Sequence, residues 1–279
     1  MKTAWMILGG LFLANILAWL AVGNLSQGGF LAVTFFDVGQ GDAIFIETPQ
    51  GHQILIDGGP DSTVLEKLGK AMPFWDRTID LVVLTHPDFD HISGLIEVLQ
   101  RYQVENILWT GILCDTAECK EWQKAIEVEG AKIYTAQASQ QIEAGRALLN
   151  VLYPSENLEG KEVSNTNNTS IVARLVYGEN SLLFPGDAQQ TVERELVNSG
   201  AQIDSDVLKV GHHGSKNASA PEFIEAVSPA IVVISVGKDN KYGHPSPEAL
   251  QNLMGAKILR TDLVGDVKII TDGKRYLAQ

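Results

Sequence analysis

The segment of residues 84–94 constrains the fold of this chain most, because it brings four potential metal-ligating side chains together within six residues. These side chains are His86, Asp88, Asp90 and His91. The segment directly follows the apolar run of residues 81–84, which predicts a short buried strand. A strand that ends in a turn carrying two imidazoles and two carboxylates is typical of a metal site, and such sites commonly activate water for hydrolysis.

Later segments repeat this pattern of an apolar strand followed by a ligand-type side chain. The strands are predicted near residues 181–184, 207–210 and 231–236. The side chains that follow them are Asp187, His212, His213 and His244. Several strands that each end in such a residue can gather a metal site from distant parts of a sequence. The sixth histidine, His52, lies inside a β-rich run and is interpreted as structural.

Short β-rich runs and helical segments alternate from residue 30 to residue 277, and neither a repeat nor a composition shift marks a second soluble domain. The order of strands first, then mixed elements, then strands and helices again predicts an α/β fold. We expect two sheets packed face to face with helices outside. One of these helices is predicted over residues 94–101, after the metal-ligating segment.

The N-terminus has a character of its own. Residues 4–22 are uncharged and mostly apolar and follow Lys2, which predicts a helix that spans a membrane with its N-terminus in the cytoplasm. A cleaved signal peptide is an alternative, since residues 21–23 form a small-x-small site, and a buried core helix is another. We expect residues 1–23 to be an anchor or signal peptide, residues 24–29 a linker, and residues 30–279 a folded domain outside the cytoplasmic membrane.

The net charge of −13 argues against tight, passive binding to nucleic acid, because such binders usually present a basic surface. It does not exclude an enzyme that meets a phosphodiester only at a local site. The two cysteines, Cys114 and Cys119, are too few for a zinc knuckle. In an exported protein they would form a short disulfide loop, and otherwise two free thiols.

Several segments, taken in order, resemble motifs of the metallo-β-lactamase superfamily, and within it the hydrolase domain of ComEC-type DNA-uptake proteins. They are residues 35–43, 55–59, 85–94, 167–170, 185–187, 208–215 and 242–245. The resemblance implies an αββα sandwich with a one- or two-metal site at one edge. It implies one metal on His86, with Asp88 and Asn168, and a second metal on Asp90, His91 and His213, with Asp187 bridging the two.

The sequence departs from the superfamily's usual His-x-His-x-Asp-His motif, because Asp88 stands at the second histidine position. No histidine lies between His91 and Asp187, so the usual third-motif histidine is missing, and Asn168 or Asn167 sits near its place. Oxygen ligands in place of imidazoles harden the site. This change favours Mn²⁺, with Zn²⁺ as the alternative.

The adjacent histidines His212 and His213 would point to opposite sides of a strand, so we expect only one to bind metal. His213 is interpreted as the ligand and His212 as a residue that orients the site. For His244, the resemblance implies a contact with the substrate or proton donation to the leaving group, and metal ligation is the rival interpretation.

The glycine-rich segment of residues 37–42 lacks the third glycine of a dinucleotide-binding fingerprint, and no helix follows it. We interpret it as a tight turn, in which Asp37, Asp42 or the later Asp57 accepts hydrogen bonds from metal ligands. Direct contact with phosphate is the alternative. Four lysines near the late histidines would likewise contact phosphate or be solvated loop residues. They are Lys209, Lys216, Lys238 and Lys241.

These features together predict a hydrolase of phosphoesters, of phosphodiesterase or nuclease type, that uses a metal-activated hydroxide oriented by Asp90. A cell-envelope phosphoesterase, acting on phosphorylcholine or teichoic acid, is an alternative. A weakly catalytic binding module tethered to the membrane is another. ComEC-type proteins carry a multi-pass channel region, whereas this chain has one apolar segment, so the resemblance extends to the chemistry of the domain and not to DNA uptake.

Overall fold

The computed structural model describes residues 2–27 and 29–279. Its strands are β1 (Leu31–Phe35), β2 (Ile44–Glu47), β3 (Gln53–Ile56), β4 (Thr78–Val83), β5 (Gln103–Trp109), β6 (Lys132–Thr135), β7 (Gln141–Ala144), β8 (Ala147–Tyr153), β9 (Val172–Tyr177), β10 (Asn180–Phe184), β11 (Val207–Lys209), β12 (Ile231–Ile234), β13 (Lys257–Arg260), β14 (Val267–Thr271) and β15 (Tyr276–Ala278). Its helices are α1 (Lys2–Gln27), α2 (Thr63–Ala71), α3 (Phe89–Leu99), α4 (Ala117–Glu129), α5 (Gln190–Ser199), α6 (Pro221–Val227), α7 (Pro247–Asn252) and α8 (Thr261–Val264), and short 3-10 turns lie at Asn167–Thr169 and Gly211–Gly214.

Helix α1 covers the predicted membrane segment and continues into the predicted linker. Within the part of the chain that the structure describes, no helix is both long enough and apolar enough to cross a membrane. The predicted membrane anchor is therefore not supported. The division of the chain at residues 23 and 29, and its location in the cell, remain predictions.

Two sheets pack face to face, as the sequence predicts. The order of strands is β15-β14-β1-β2-β3-β4-β5-β6 in one sheet and β13-β12-β11-β10-β9-β8-β7 in the other. Side chains such as Phe35 and Ile56 from the first sheet and Leu175 and Phe184 from the second fill the space between them. Removing this apolar surface from water is the main force that holds the two layers together.

Helices cover the outer face of each sheet. Val64 of α2, Leu95 of α3 and Trp122 of α4 are buried against the first sheet. Val192 of α5 and Phe223 of α6 are buried against the second. The result is the αββα layering expected from the sequence.

The first turn of α3 begins earlier than predicted. The helix starts at Phe89, directly after the extended residue Asp88, whose carbonyl accepts hydrogen bonds from the N–H groups of His91 and Ile92 at 3.0 Å each. Asp90 and His91 therefore lie on a helix and not in a turn.

Two further features differ from, or add to, the predicted elements. Strand β7 is not among the predicted strands, because its four residues, with Gln141 and Glu143 exposed, carry too short a pattern without the pairing partner β8. The described chain also joins Cys114 and Cys119 in a disulfide at the beginning of α4, the first of the two alternatives that the sequence left open.

Candidate metal centre

Parallel strands of both sheets end at one edge of the sandwich, and the residues that follow them form the candidate centre. Asp57 follows β3, His86 follows β4, Asp187 follows β10, and His213 lies in the turn after β11, while Asp90 and His91 come from the first turn of α3. Groups of three within this set place their ligand atoms within 4.8 Å of one another, for example His86, His91 and Asp187, or Asp90, His91 and His213.

Asp57 orients two of the imidazoles. Its Oδ2 accepts a hydrogen bond from Nδ1 of His91 at 2.8 Å and another from the Thr85 hydroxyl at 2.7 Å. Because the Thr85 hydroxyl gives its proton to Asp57, its oxygen must accept from Nδ1 of His86, 3.0 Å away. Both histidines therefore turn Nε2 toward the centre.

His213 is oriented by the backbone. Its Nδ1 lies 2.9 Å from the carbonyl oxygen of Ser235, which can only accept, so Nδ1 is the donor and Nε2 again faces the centre. The Nε2 atoms of His86, His91 and His213 are buried and make no hydrogen bond with any described residue. Buried nitrogens normally have partners, so this convergence fits a divalent metal ion, and the donor set suits Zn²⁺ or Mn²⁺.

Asp187 lies at the middle of the donor set. Its Oδ2 is 3.5 Å from Nε2 of His91 and 3.4 Å from Nε2 of His213. Oδ2 of Asp90 is 3.3 Å from the same His213 nitrogen, and Asp90 is only partly buried. Asp187 is thus placed to reach both groups of ligands, whereas Asp90 stands at the mouth of the site.

A glycine–glycine contact sets the position of α3. A Cβ atom on Gly94 would lie 1.9 Å from the carbonyl oxygen of Gly58, in the turn after β3. The backbones are also linked, because the N–H of Gly58 donates to the carbonyl of His91 at 2.8 Å. This close approach is what brings His91 within reach of Asp57.

Lys209 is the residue that the sequence interpretation placed wrongly. It is 0% exposed, and its ammonium pairs with the Asp42 carboxylate, lies 3.5 Å from Oδ1 of Asp187 and donates to the carbonyl of Gly186 at 3.1 Å. It is therefore neither a solvated loop lysine nor a phosphate contact. The sequence does indicate a buried lysine here, because Lys209 lies inside the apolar run of residues 207–210. A lysine in a buried strand needs a charged partner.

The carboxylates hold protons on two of the imidazoles. Burial by itself would lower the pKa of His91, but Asp187 and Asp57 raise it well above its ordinary value. Asp187 and Asp42 do the same for the pKa of His213. Burial would raise the pKa of Asp187, but these two imidazoles hold it well below its usual range. A metal ion bound here would displace the protons from the nitrogens.

Two more histidines lie toward the rim. Nε2 of His212 is 3.8 Å from Oδ2 of Asp187, and the ring of His212 meets the ring of His244 edge-on, with 5.7 Å between centroids. His212 and His213 have left-handed φ values of 47° and 54° in a 3-10 turn. The two histidines therefore point in different directions because of this turn, and the predicted alternation along a strand is wrong. His213 lies inside the centre and His212 at its edge.

A family model for the metallo-β-lactamase superfamily matches residues 36–238. The chain belongs to this superfamily. Proteins of this family are typically metal-dependent hydrolases, and the fold implies binding of divalent metal.

Curated relatives of the chain include competence proteins. It is 33% identical over 256 residues to ComE operon protein 3 of Bacillus subtilis (strain 168). The aligned region covers 85% of this chain and 32% of that protein. It is 36% identical over 242 residues to competence protein ComA of Neisseria gonorrhoeae. The aligned region covers 84% of this chain and 31% of that protein. The chain thus spans about a third of the length of these relatives.

Solved structures share the fold. The metallo-β-lactamase fold protein YhfI of Bacillus subtilis matches with a TM-score of 0.61 at 15% identity, covering 87% of this chain and 100% of that one. The metallo hydrolase Igni18 of Ignicoccus hospitalis matches with a TM-score of 0.52 at 17% identity, covering 86% of this chain and 98% of that one.

The residues at the two departures from the superfamily motif are already engaged. Oδ1 of Asp88 accepts a hydrogen bond from the Thr166 hydroxyl at 2.6 Å, while its Oδ2 is 3.7 Å from Nε2 of His86. Oδ1 of Asn168 accepts from the N–H of Gln189 at 3.2 Å. The metal position that the resemblance implies at His86 therefore has fewer free ligand atoms than the position implied at Asp90, His91 and His213.

Other predicted site residues lie outside the donor set. Asp37 accepts from the N–H of Gly39 at 3.2 Å and so supports its own turn, not a metal ligand. Lys216, Lys238 and Lys241 are exposed. His52 is near Asp80, with 3.3 Å between Nδ1 and Oδ1, which agrees with its structural interpretation.

Proposed function

We propose that this domain hydrolyses phosphodiesters, including the backbone of nucleic acid, with divalent metal ions of the Zn²⁺ or Mn²⁺ type. The observation that carries the proposal is the convergence of three Nε2 atoms with Asp187 and Asp90 at one edge of the sandwich. When bound, such ions lower the pKa of water and stabilise charge on phosphoryl oxygens. The competence proteins among the relatives also favour this substrate class.

The carboxylate of Asp90 would orient the attacking water. Burial would raise the pKa of Asp90, but His213 and His91 hold it well below its usual range, so it stays ionised and accepts a hydrogen bond. A carboxylate of this kind is a poor proton acceptor in the chemical step. Its contribution is to hold the position of the nucleophile.

His244 would contact the phosphoryl oxygen or the leaving group. Burial, with His213 and His212 nearby, lowers the pKa of His244 to about 4, so the ring is neutral at neutral pH. A neutral imidazole can donate one hydrogen bond, and an anionic phosphoryl oxygen is a strong acceptor. The exposed lysines 216 and 241 would add positive charge on the same side.

A location outside the cytoplasm is also part of the proposal. Its support is the disulfide between Cys114 and Cys119, because such bonds persist mainly in oxidising compartments. Labelling of the native protein with a thiol reagent, with and without reduction, tests it. Free thiols in protein taken directly from its cells would contradict it.

Hydrolysis of a generic phosphodiester with added Mn²⁺ or Zn²⁺ tests the activity. We expect turnover in the wild type, and its loss in the Asp90→Asn/His91→Ala variant. His52→Ala is the matched control, since His52 lies away from the centre beside Asp80. Activity that survives the double substitution would refute the assignment of the site.

A further inference from the structure

A row of aromatic rings leads from the metal centre to solvent. His212 lies beside Asp187, with 3.8 Å between Nε2 and Oδ2, and meets His244 edge-on. The ring of Tyr242 is stacked on His244, with 5.7 Å between centroids and an interplanar angle of 27°. Tyr242 is 59% exposed, so a large planar side chain stands at the rim of the site.

Two lysines lie in the loop that carries this exposed ring, together with the exposed Asp239. Nζ of Lys241 lies 5.5 Å from the centroid of Tyr242, and Lys238 belongs to the same loop. Neither lysine, nor the exposed Lys216, forms an ion pair with any residue that the structure describes. In a chain of net charge −13, the ammonium of Lys241 supplies positive charge beside the Tyr242–His244 pair.

We propose that Tyr242 is a specificity-determining residue that stacks a nucleobase beside the scissile phosphodiester. This inference rests on the proposed phosphodiesterase activity and adds the selection of base-bearing strands. Aromatic side chains next to Lys or Arg bind single-stranded nucleic acid in this way, since every base has a planar face. The contact with His244 already restricts the Tyr242 ring, so stacking of a base costs little further side-chain conformational entropy.

The same geometry disfavours a quaternary ammonium group, such as the choline of a phosphorylcholine ester. Such cations bind in cages of several aromatic rings, whereas this rim presents one exposed tyrosine with a lysine ammonium beside it. Like charges would repel. A planar, uncharged base with an anionic phosphate matches both the ring and the lysines.

Two oligomers with the same backbone separate the base from the phosphate. One is octathymidylate, and the other is an abasic octamer of the same length. We would measure kcat/KM for both with Mn²⁺, using wild type, Tyr242→Ala and Tyr242→Phe. Tyr134→Ala is the matched control, because Tyr134 is 39% exposed with Nζ of Lys132 at 4.8 Å from its ring, but lies on the edge strand β6.

We expect the wild type to prefer the base-bearing oligomer. Tyr242→Ala should lower that preference about 5- to 150-fold through KM, since stacking contributes about 1–3 kcal/mol per base. Tyr242→Phe and Tyr134→Ala should keep it. An unchanged preference in Tyr242→Ala, or an equal loss in Tyr134→Ala, would overturn the proposal.

Binding of the fluorescently labelled oligomers to the Asp90→Asn variant keeps the two proposals apart. Fluorescence anisotropy reports the base preference without turnover. One outcome is that the wild type hydrolyses neither oligomer, while the Asp90→Asn/Tyr242→Ala variant loses the preference for the base-bearing oligomer in binding. In that case the base-stacking role stands and the phosphodiesterase activity fails. If hydrolysis occurs and neither measurement depends on Tyr242, the base-stacking role fails alone.

Discussion

Replacing Lys209 by methionine tests how the centre keeps its carboxylates buried. The substitution removes the ammonium that pairs with Asp42, faces Oδ1 of Asp187 at 3.5 Å and bonds to the carbonyl of Gly186 at 3.1 Å. Methionine fills a similar volume, so the change is mainly one of charge. Two buried carboxylates then lose their cationic partner.

Breaking a buried ion pair by removing one partner costs about 3–5 kcal/mol. We therefore expect the free energy of unfolding of metal-free Lys209→Met to fall by about that amount, which for a domain of this size lowers Tm by roughly 5–10 °C. Bound metal would supply positive charge beside Asp187 and offset part of the loss. Addition of Mn²⁺ should thus raise Tm more in the variant than in the wild type.

Thermal and urea unfolding in EDTA and in Mn²⁺ would measure both quantities. The double variant Lys209→Met/Asp42→Asn removes one charge of each sign and should regain part of the lost stability. Exposed Lys216→Met is the control and should change stability by less than about 0.5 kcal/mol. A single variant as stable as wild type in EDTA, or a double variant no more stable than the single one, would refute the reasoning.

Three further predictions concern packing and protonation. Gly94→Ala should destabilise the protein by about 1–3 kcal/mol or more, because its new Cβ would collide with the backbone of Gly58. Gly69→Ala should stabilise it by about 0.5–1 kcal/mol, because a Cβ at that helix position has no atom within 4 Å. Equal changes in the free energy of unfolding, measured by urea denaturation, would contradict this. Burial raises the pKa of Glu193 from 4.5 to about 7, so the folded state binds this proton more tightly than the unfolded state. The resulting stabilisation, roughly 3 kcal/mol, is present below pH 4.5 and is lost as the pH rises through 7. Glu193→Gln should remove that slope and the exposed Glu225→Gln should keep it, and a slope that persists in Glu193→Gln would argue against the assignment. Because the pKa of His91 is raised, Mn²⁺ affinity measured by calorimetry should fall from pH 8 to pH 6, and an affinity independent of pH would be inconsistent with proton displacement.

The sequence predicted much of the fold and the clustering of these side chains at one edge for a simple reason, whereas metal ligation by them stays a prediction. Parallel strands end at a common edge, so ligand-type residues after the apolar runs had to meet there, as His86, Asp187 and His213 do. What it could not predict depends on the opposite sheet. The partner of Lys209 is Asp42, which lies far away in the chain, and only the assembled sandwich brings them together.

Local backbone geometry was the other limit. The left-handed φ values of His212 and His213 follow from the turn that β11 enters, and no periodicity in the sequence indicates them. In the same way, the first turn of α3 begins at Phe89 because the carbonyl of Asp88 collects N–H donors, which a count of apolar residues does not reveal.

The carboxylate of Asp57 has an effect that reaches beyond the residues it touches. It fixes His91 directly and His86 through Thr85, and the two-metal arrangement implied by the family resemblance would assign these two imidazoles to different metals. In that arrangement the two metal positions would share one structural support, the Asp57 carboxylate. Occupation of either one holds Asp57 in place and prepares the other, so the ions should load cooperatively, and a change at Asp57 would weaken both steps at once.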